Sequence, residues 1–257
     1  MDNDFLSVAI VTYNNGNKAV NACRSILEYT KKYNLKLYVI DNASTDDTVK
    51  LLSDIDGVQK ILQNKNLGFG KAHNVALDLD LGKYHFVVNP DIVINSDVLS
   101  DMADIMEENS DIILSMPQIL NTDGTIQYLP KEVPTFKRLF GGRLASASDK
   151  FADIRKEYTW ENRELNGITD INFCSGCFFC IKSEVFKKLS GFDERYFMYL
   201  EDADLTIRAK SFGRTVIIPG INVTHEWERE SAKSLKYLLI HICSSFKFLF
   251  KWRKTKK

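Results

Sequence analysis

Phe86-Val87-Val88-Asn89-Pro90-Asp91-Ile92-Val93-Ile94 is an apolar run that opens onto Asn-Pro-Asp and closes into a second apolar run. Residues 84–88 have the continuous hydrophobicity of a strand buried on both faces of a parallel sheet, and the polar break after Val88 leaves a carboxylate, Asp91, just past its carboxyl end. Working back, residues 5–11 and 35–40 are runs of the same kind, and residues 58–62 form a shorter one. Each ends in a polar loop: Thr12-Tyr13-Asn14-Asn15-Gly16, then Asp41-Asn42-Ala43-Ser44-Thr45-Asp46-Asp47, then Asn64-Lys65-Asn66-Leu67-Gly68-Phe69-Gly70. Helices are expected at about residues 17–32, after an N-cap at Ser44 with Asp46 and Asp47 at the positive helix end, and from the glycine loop to about residue 80. Strands alternating with helices through short loops predict a doubly wound α/β sheet. Such sheets bind ligands outside the carboxyl ends of their strands, so residues 12–14, 41–44 and 89–91 are expected to meet.

Beyond Asp91 the pattern is less regular. Ser96 is the expected cap of a helix to about residue 109, followed by a strand at residues 112–116. Residues 121–170 read as loops and short helices, 170–182 as strand-like, 201–212 as a helix and 215–218 as a short strand. The expected organisation is one domain over residues 1–230, with halves 1–95 and 96–230, and a tail over residues 231–257.

With 44% hydrophobic residues the 257-residue chain can bury a sizeable core, and its zero net charge conceals an asymmetry. Residues 231–257 hold eight Lys and Arg and no acid, which leaves 26 basic against 34 acidic residues in the first 230. Within that tail Leu235, Leu238, Leu239, Ile242, Phe246 and Leu249 fall at helical spacing, ahead of a basic cluster. A C-terminal amphipathic helix of this kind can lie in a membrane interface beside anionic headgroups; packing on the body or forming a homodimer are the alternatives. The acidic start Met1-Asp2-Asn3-Asp4 is unlike a secretory leader. Five cysteines without disulfide-like spacing suit a reducing compartment, and no run reaches the ~18 apolar residues of a membrane span. A cytoplasmic protein is expected, at most peripheral to the inner face of the membrane, with no nucleic-acid partner.

Several groups could carry chemistry, each with a plainer reading. Asp41 could accept from a base or ribose, or close an Asx-turn. The Gly68-Phe69-Gly70 loop before a helix could approach a pyrophosphate, or be an ordinary loop. Asp91 could ligate a divalent cation, which typically uses one or two carboxylates plus substrate phosphates, or sit in a surface turn. His225 could be a ligand or a structural histidine. In Glu201-Asp202-Ala203-Asp204, partial desolvation could raise a carboxylate's basicity, while acids also favour the first turn of a helix. Cys174, Cys177 and Cys180 lack a suitably spaced fourth ligand for zinc and read as buried reduced thiols.

In order along the chain, Val11-Thr12-Tyr13-Asn14, Asp41-Asn42-Ala43-Ser44-Thr45-Asp46, Asn66-x-Gly68-Phe69-Gly70 with Asn74, and Asn89-Pro90-Asp91 resemble the family 2 glycosyltransferases. Gly176-x-Phe178, Gly191-Phe192-Asp193-Glu194 and Tyr199-x-Glu201-Asp202-Ala203-Asp204-Leu205 with Arg208 continue the resemblance, which spans residues 8–227. It implies the inverting GT-A fold, a Rossmann-like, mostly parallel central sheet flanked by helices. It also implies a glycosyltransferase dependent on Mg²⁺ or Mn²⁺. The Asn-Pro-Asp form and the Gly-Phe-Gly loop are most like bacterial rhamnosyltransferases that use dTDP-L-rhamnose, with a UDP-sugar donor as the alternative. By this resemblance Thr12, Tyr13, Asn14, Asp41, Asn66, Gly68, Gly70, Asn74 and Asn89 hold the donor. Asp91 and His225 hold the metal, and Asp202 is the general base. Gly176, Glu201, Asp204, Arg208 and Trp227 support the site or line the acceptor side. The acceptor is a glycan or lipid-linked glycan hydroxyl in cell-surface polysaccharide synthesis. The family's first Asp of Asp-x-Asp is Asn89 here; an amide loses the charge on a ribose contact, which favours a deoxyribose donor. A nucleotidyltransferase usually has a basic, glycine-rich loop after its first strand, and Tyr13-Asn14-Asn15-Gly16-Asn17 is neither. A non-catalytic sugar-nucleotide binder would need no base such as Asp202.

Overall fold

The computed structural model describes residues 5–141, 149–226 and 234–253. The chain begins β1 (Phe5–Thr12), α1 (Gly16–Tyr29), β2 (Asn34–Asp41), α2 (Thr48–Ser53), β3 (Val58–Leu62) and α3 (Phe69–His73), which passes through a 3₁₀ turn (Asn74–Asp78) into β4 (Tyr84–Val88). It continues with β5 (Ile92–Val93), α4 (Val98–Glu108), β6 (Ile112–Leu120), α5 (Phe136–Gly141), α6 (Asp149–Tyr158), β7 (Thr169–Asp170) and β8 (Phe178–Lys182). Last come α7 (Ser183–Lys188), α8 (Glu201–Ala209), β9 (Arg214–His225) and α9 (Leu235–Lys251).

Among the described residues nine strands form one sheet in the order β3-β2-β1-β4-β8-β6-β9-β5, with β7 along β9. From β3 to β4 every pairing is parallel, and β4 is buried along its whole length. This is the doubly wound half expected from the apolar runs. Past β4 the sheet becomes mixed: β8 pairs antiparallel with β4 and β6, while β6 and β9 are parallel. The main core gathers on this sheet, including Ile10, Phe86, Phe178 and Phe186. In its middle Ser7 Oγ lies 3.0 Å from His85 Nδ1, and burial holds His85 and His73 at about 3, so both are neutral.

Several local expectations are corrected. Asp97, not Ser96, caps α4, its carboxylate accepting from Ser100 N at 3.3 Å. Ser44 caps nothing: α2 begins at Thr48, and the Ser44 hydroxyl is used by the neighbouring loop. The strand expected at residues 215–218 runs to His225, because β9 bulges at Pro219-Gly220-Ile221 and re-pairs with β6 from Asn222. Between Asp170 and Phe178 the chain leaves the strand and turns at Gly176-Cys177, where the Cys177 carbonyl accepts from Asn89 N at 2.8 Å.

Candidate functional site

Thr12 and Asp41 are register partners at the carboxyl ends of β1 and β2, and both are buried. One Asp41 oxygen, Oδ2, accepts from Ser44 N at 3.0 Å, so the Asx-turn is real. The other, Oδ1, is buried and accepts no hydrogen bond, and the Thr12 hydroxyl beside it is also without one. A buried acceptor left open at a strand end is an arrangement that natural folds rarely keep without a partner. Asn14, in the left-handed region at φ 54, ties the two loops: its N–H donates to Ser44 Oγ at 2.9 Å, and its Oδ1 accepts from Thr45 N at 2.8 Å. Tyr13 stays exposed.

The third loop is laced to these two through Asn42. Its Nδ2 donates to Asn66 Oδ1 at 3.1 Å and to the Gly68 carbonyl at 3.0 Å, while its Oδ1 accepts from Leu67 N at 2.8 Å. Gly68 has φ 83, and a Cβ there would overlap the Phe197 carbonyl oxygen, so only glycine fits. The same carbonyl accepts from Phe69 N at 2.8 Å. A Cβ on Gly70 would meet Phe192. Asn74, expected among the donor contacts, instead donates to the Phe192 carbonyl at 2.9 Å and accepts from Phe192 N at 2.8 Å. Both ends of its amide hold the 191–194 turn behind the loop.

Asp91 follows β4, and β5 pairs with the end of β9 so that Ile92 lies opposite His225. The Glu226 N–H donates to the Asp91 carbonyl at 2.9 Å. Asp91 Oδ1 lies 3.3 Å from His225 Nε2 and accepts no hydrogen bond. On the far side of the ring Nδ1 is 3.0 Å from Gln127 Oε1, and Gln127 Nε2 donates to the His225 carbonyl at 2.9 Å. With the proton on Nδ1, donating to Gln127 Oε1, the ring would present the Nε2 lone pair toward Asp91, as a metal ligand does. Among the described residues no cluster of three or more His, Cys, Asp or Glu could hold a metal ion; Asp91 and His225 are two donors, the number that leaves room for phosphate oxygens.

Asp202 is the second residue of α8, which Glu201 opens after two successive left-handed residues, Tyr199 (φ 73) and Leu200 (φ 67). Such bulky residues at positive φ are strained and persist where their surroundings fix them. The Asp202 carboxylate accepts from Gly176 N at 2.9 Å and from Ala203 N at 2.9 Å. Burial raises its pKa on balance, with Lys131 and these two amides offsetting part of the rise. Next to it Glu201 is buried, with Oε2 accepting no hydrogen bond, and burial together with the Asp202 charge holds its carboxyl at about 8. At about 8 the Glu201 carboxyl is neutral at neutral pH. The Cys177 thiol is pushed up to about 12, first by burial and then by the Asp91 and Asp202 charges; the Gly176-Cys177 turn bonds Asp202 through Gly176 N and Asn89, two residues before Asp91, through the Cys177 carbonyl. Cys174 and Cys180 are likewise free, buried and raised by burial.

Asp204 and Arg208 support the site from behind. Asp204 is fully buried; Arg208 Nε donates to its Oδ2 at 2.8 Å, and Lys251 and Trp252 Nε1 reach Oδ1 at 2.5 Å and 2.9 Å. From α9 Ser244 Oγ donates to the Met198 carbonyl at 2.7 Å. Trp227 lies outside the described residues. Three residues near the site carry no local signal in the sequence: Gln127 behind His225, and Lys131 and Tyr158, both near enough to interact with the Asp202 charge. All three fall in the stretch without periodicity.

The family profile described as Glycosyl transferase family 2 matches residues 7–190. The N-acetylglucosaminyl-diphospho-decaprenol L-rhamnosyltransferase of Mycobacterium tuberculosis is 26% identical over 96% of this chain and 84% of its own. The rhamnosyltransferase WbbL of Escherichia coli is 24% identical over 72% and 71%. Among solved structures, Staphylococcus aureus TarS in complex with UDP superposes with a TM-score of 0.61 at 20% identity, covering 94% of this chain, which spans 65% of that one. A Pyrobaculum calidifontis mannosyltransferase in complex with GDP-Man and Mn²⁺ superposes with a TM-score of 0.61 at 15% identity, over 96% of this chain and 66% of its own. The fold is GT-A, the profile covers most of the chain, and the protein belongs to glycosyltransferase family 2.

Proposed function

We propose that this glycosyltransferase moves L-rhamnose from dTDP-L-rhamnose, with inversion, onto a hydroxyl of a lipid-linked glycan in bacterial cell-surface polysaccharide synthesis, a UDP-sugar being the alternative donor. The observation that carries the reading is the Gly176-Cys177 turn, whose Gly176 N–H donates to the Asp202 carboxylate at 2.9 Å and whose Cys177 carbonyl accepts from Asn89 N, two residues before Asp91, at 2.8 Å. A donor whose base lies at Thr12, Tyr13 and Asp41 and whose diphosphate follows residues 66–70 would reach Asp91 with the diphosphate and Asp202 with its anomeric carbon. The open Asp41 Oδ1 suits a pyrimidine N–H. The amide of Asn89 suits a deoxyribose, and the two relatives named for L-rhamnosyl or rhamnosyl transfer favour that sugar. On this reading residues 1–95 are the donor half and residues 96–230 the acceptor half, with Lys131 and Tyr158 on the acceptor side of the base.

Asp91 Oδ1 and His225 Nε2 would hold a Mg²⁺ or Mn²⁺ ion, with Gln127 fixing the ring. Bound there, the cation offsets charge on the leaving diphosphate. Asp202 takes the proton of the acceptor hydroxyl as its oxygen bonds to the anomeric carbon from the face opposite the diphosphate. The bond to the diphosphate breaks, and the configuration inverts. Incubation with dTDP-rhamnose or UDP-sugars, an acceptor extract and Mn²⁺, read as nucleoside diphosphate release, tests the proposal. Asp202→Asn should lower the rate by ~10²–10⁴-fold. Unchanged turnover in that variant would sink the mechanism, and pyrophosphate release from dTTP and a sugar phosphate would sink the reading as a whole.

A further inference from the structure

Helix α9 has its polarity reversed for a helix that ends at water. Its buried positions are Ser244, Ser245 and Phe248. Leu235, Leu239, Phe246 and Phe250 stand outward, at 72%, 54%, 57% and 67% exposure, and Cys243 is exposed between them. Their spacing of three and four residues makes one stripe along the helix. A surface helix ordinarily turns such a stripe to the core. The stripe does not end at the helix: Phe140 of α5 lies 5.9 Å from the Phe246 ring and 4.6 Å from Phe136, itself 62% exposed. A contiguous apolar patch of this kind marks an interaction surface.

Charge selects the occupant. Lys236, Lys247 and Arg253 are exposed beside the stripe, and residues 231–257 contain eight basic residues and no acidic one. A second copy meeting this face across a two-fold axis would bring the same cations against themselves. Anionic headgroups are complementary to them. At 17 residues α9 is too short to cross a bilayer, and among the described residues no helix is long and apolar enough to do so. We propose that the outward stripe of α9, continued by Phe136 and Phe140, is a docking face for an anionic lipid surface, with the helix lying in the headgroup plane. The proposal extends the reading of a lipid-linked acceptor, on which it rests for its purpose. The inner side of the same helix holds Met198, just before the base, through Ser244, so docking would bring the reaction centre to the bilayer that carries such an acceptor.

The test uses the full chain with vesicles of phosphatidylcholine alone or mixed with phosphatidylglycerol. Co-flotation is expected with the mixed vesicles only, weakened by salt, and maleimide labelling of Cys243 should slow when they are present. The double variant Phe246→Glu, Phe250→Glu should partition at least about a hundredfold less, since burying each ring is worth about tenfold or more. Its melting temperature and its nucleotide binding should match the wild type, because both side chains point outward. Absence of flotation, flotation undiminished in the variant, or a wild-type dimer that the variant turns into a monomer would overturn the proposal. Failure of the functional reading looks different: the protein would float yet turn over no nucleotide sugar. Turnover on a short-chain acceptor without any flotation would remove the docking face and keep the reaction.

Discussion

Replacing Glu201 by glutamine should make the protein more stable, by an amount that grows with pH. Glu201 is buried with Oε2 accepting no hydrogen bond, and burial and the neighbouring Asp202 charge lift its carboxyl from 4.5 to about 8. Between these two values the folded chain binds more protons than the unfolded chain, so stability falls as pH rises through that window. The loss is close to nil at about pH 4, ~3 kcal/mol at pH 7 and ~5 kcal/mol above pH 8. Glutamine keeps the shape and has no proton to lose, so the variant escapes this penalty. With ~2–4 °C per kcal/mol for a chain of this size, Glu201→Gln should melt ~6–12 °C above wild type at pH 7 and level with it near pH 4. Thermal unfolding followed across this range measures the difference. A gap in Tm that does not vary with pH, or a variant less stable than wild type at pH 8, would refute the assignment of Glu201 as the neutral member of the pair.

Gly68→Ala puts a Cβ against the Phe197 carbonyl at a positive φ; a loss of ~1–3 kcal/mol and a raised donor KM are expected, read by melting and by initial rates. Asp41→Asn removes the charge at the open Oδ1 and should weaken donor nucleotide binding by ~10–100-fold, the worth of one hydrogen bond to a charged group, measured by calorimetry. Lys251→Met leaves Asp204 with Arg208 and Trp252, so the cost should fall below the ~3–5 kcal/mol of a buried charge stripped of its partner; the melting temperature reports it. In the native protein Ellman's reagent should find one fast thiol, Cys243, because the other four cysteines are buried; a second fast thiol would contradict that burial.

The strands β1 to β4 are readable from sequence because burial on both faces of a parallel sheet writes an unbroken apolar run. β9 is not: Pro219-Gly220 looks like a terminator, and only pairing with β6 across the bulge carries the strand on to His225. Asp41 ends a strand, Asp91 follows one and Asp202 lies in the first turn of a helix, so the change of pattern points to each of them. Gln127, Lys131 and Tyr158 reach the site through interactions with residues 44 to 98 positions away, Asp202 and His225, and nothing local marks them. Asn74 shows a different limit: a polar side chain beside a ligand loop reads the same whether it faces the ligand or, as here, the backbone behind it.

The clasp on Asp204 has a consequence for the order in which the protein becomes competent. Trp252 reaches Asp204 across 48 positions of sequence, and a ribosome delivers the chain from its amino end. The loops at residues 12–14, 41–44 and 66–70 and the sheet that carries them are thus complete while α9 is still unmade. In that interval Asp204 has Arg208 alone, and the strained Tyr199-Leu200 turn lacks its tie from Ser244. A nascent chain stalled before residue 252 should therefore bind nucleotide yet transfer poorly, which makes catalysis a late acquisition of biosynthesis.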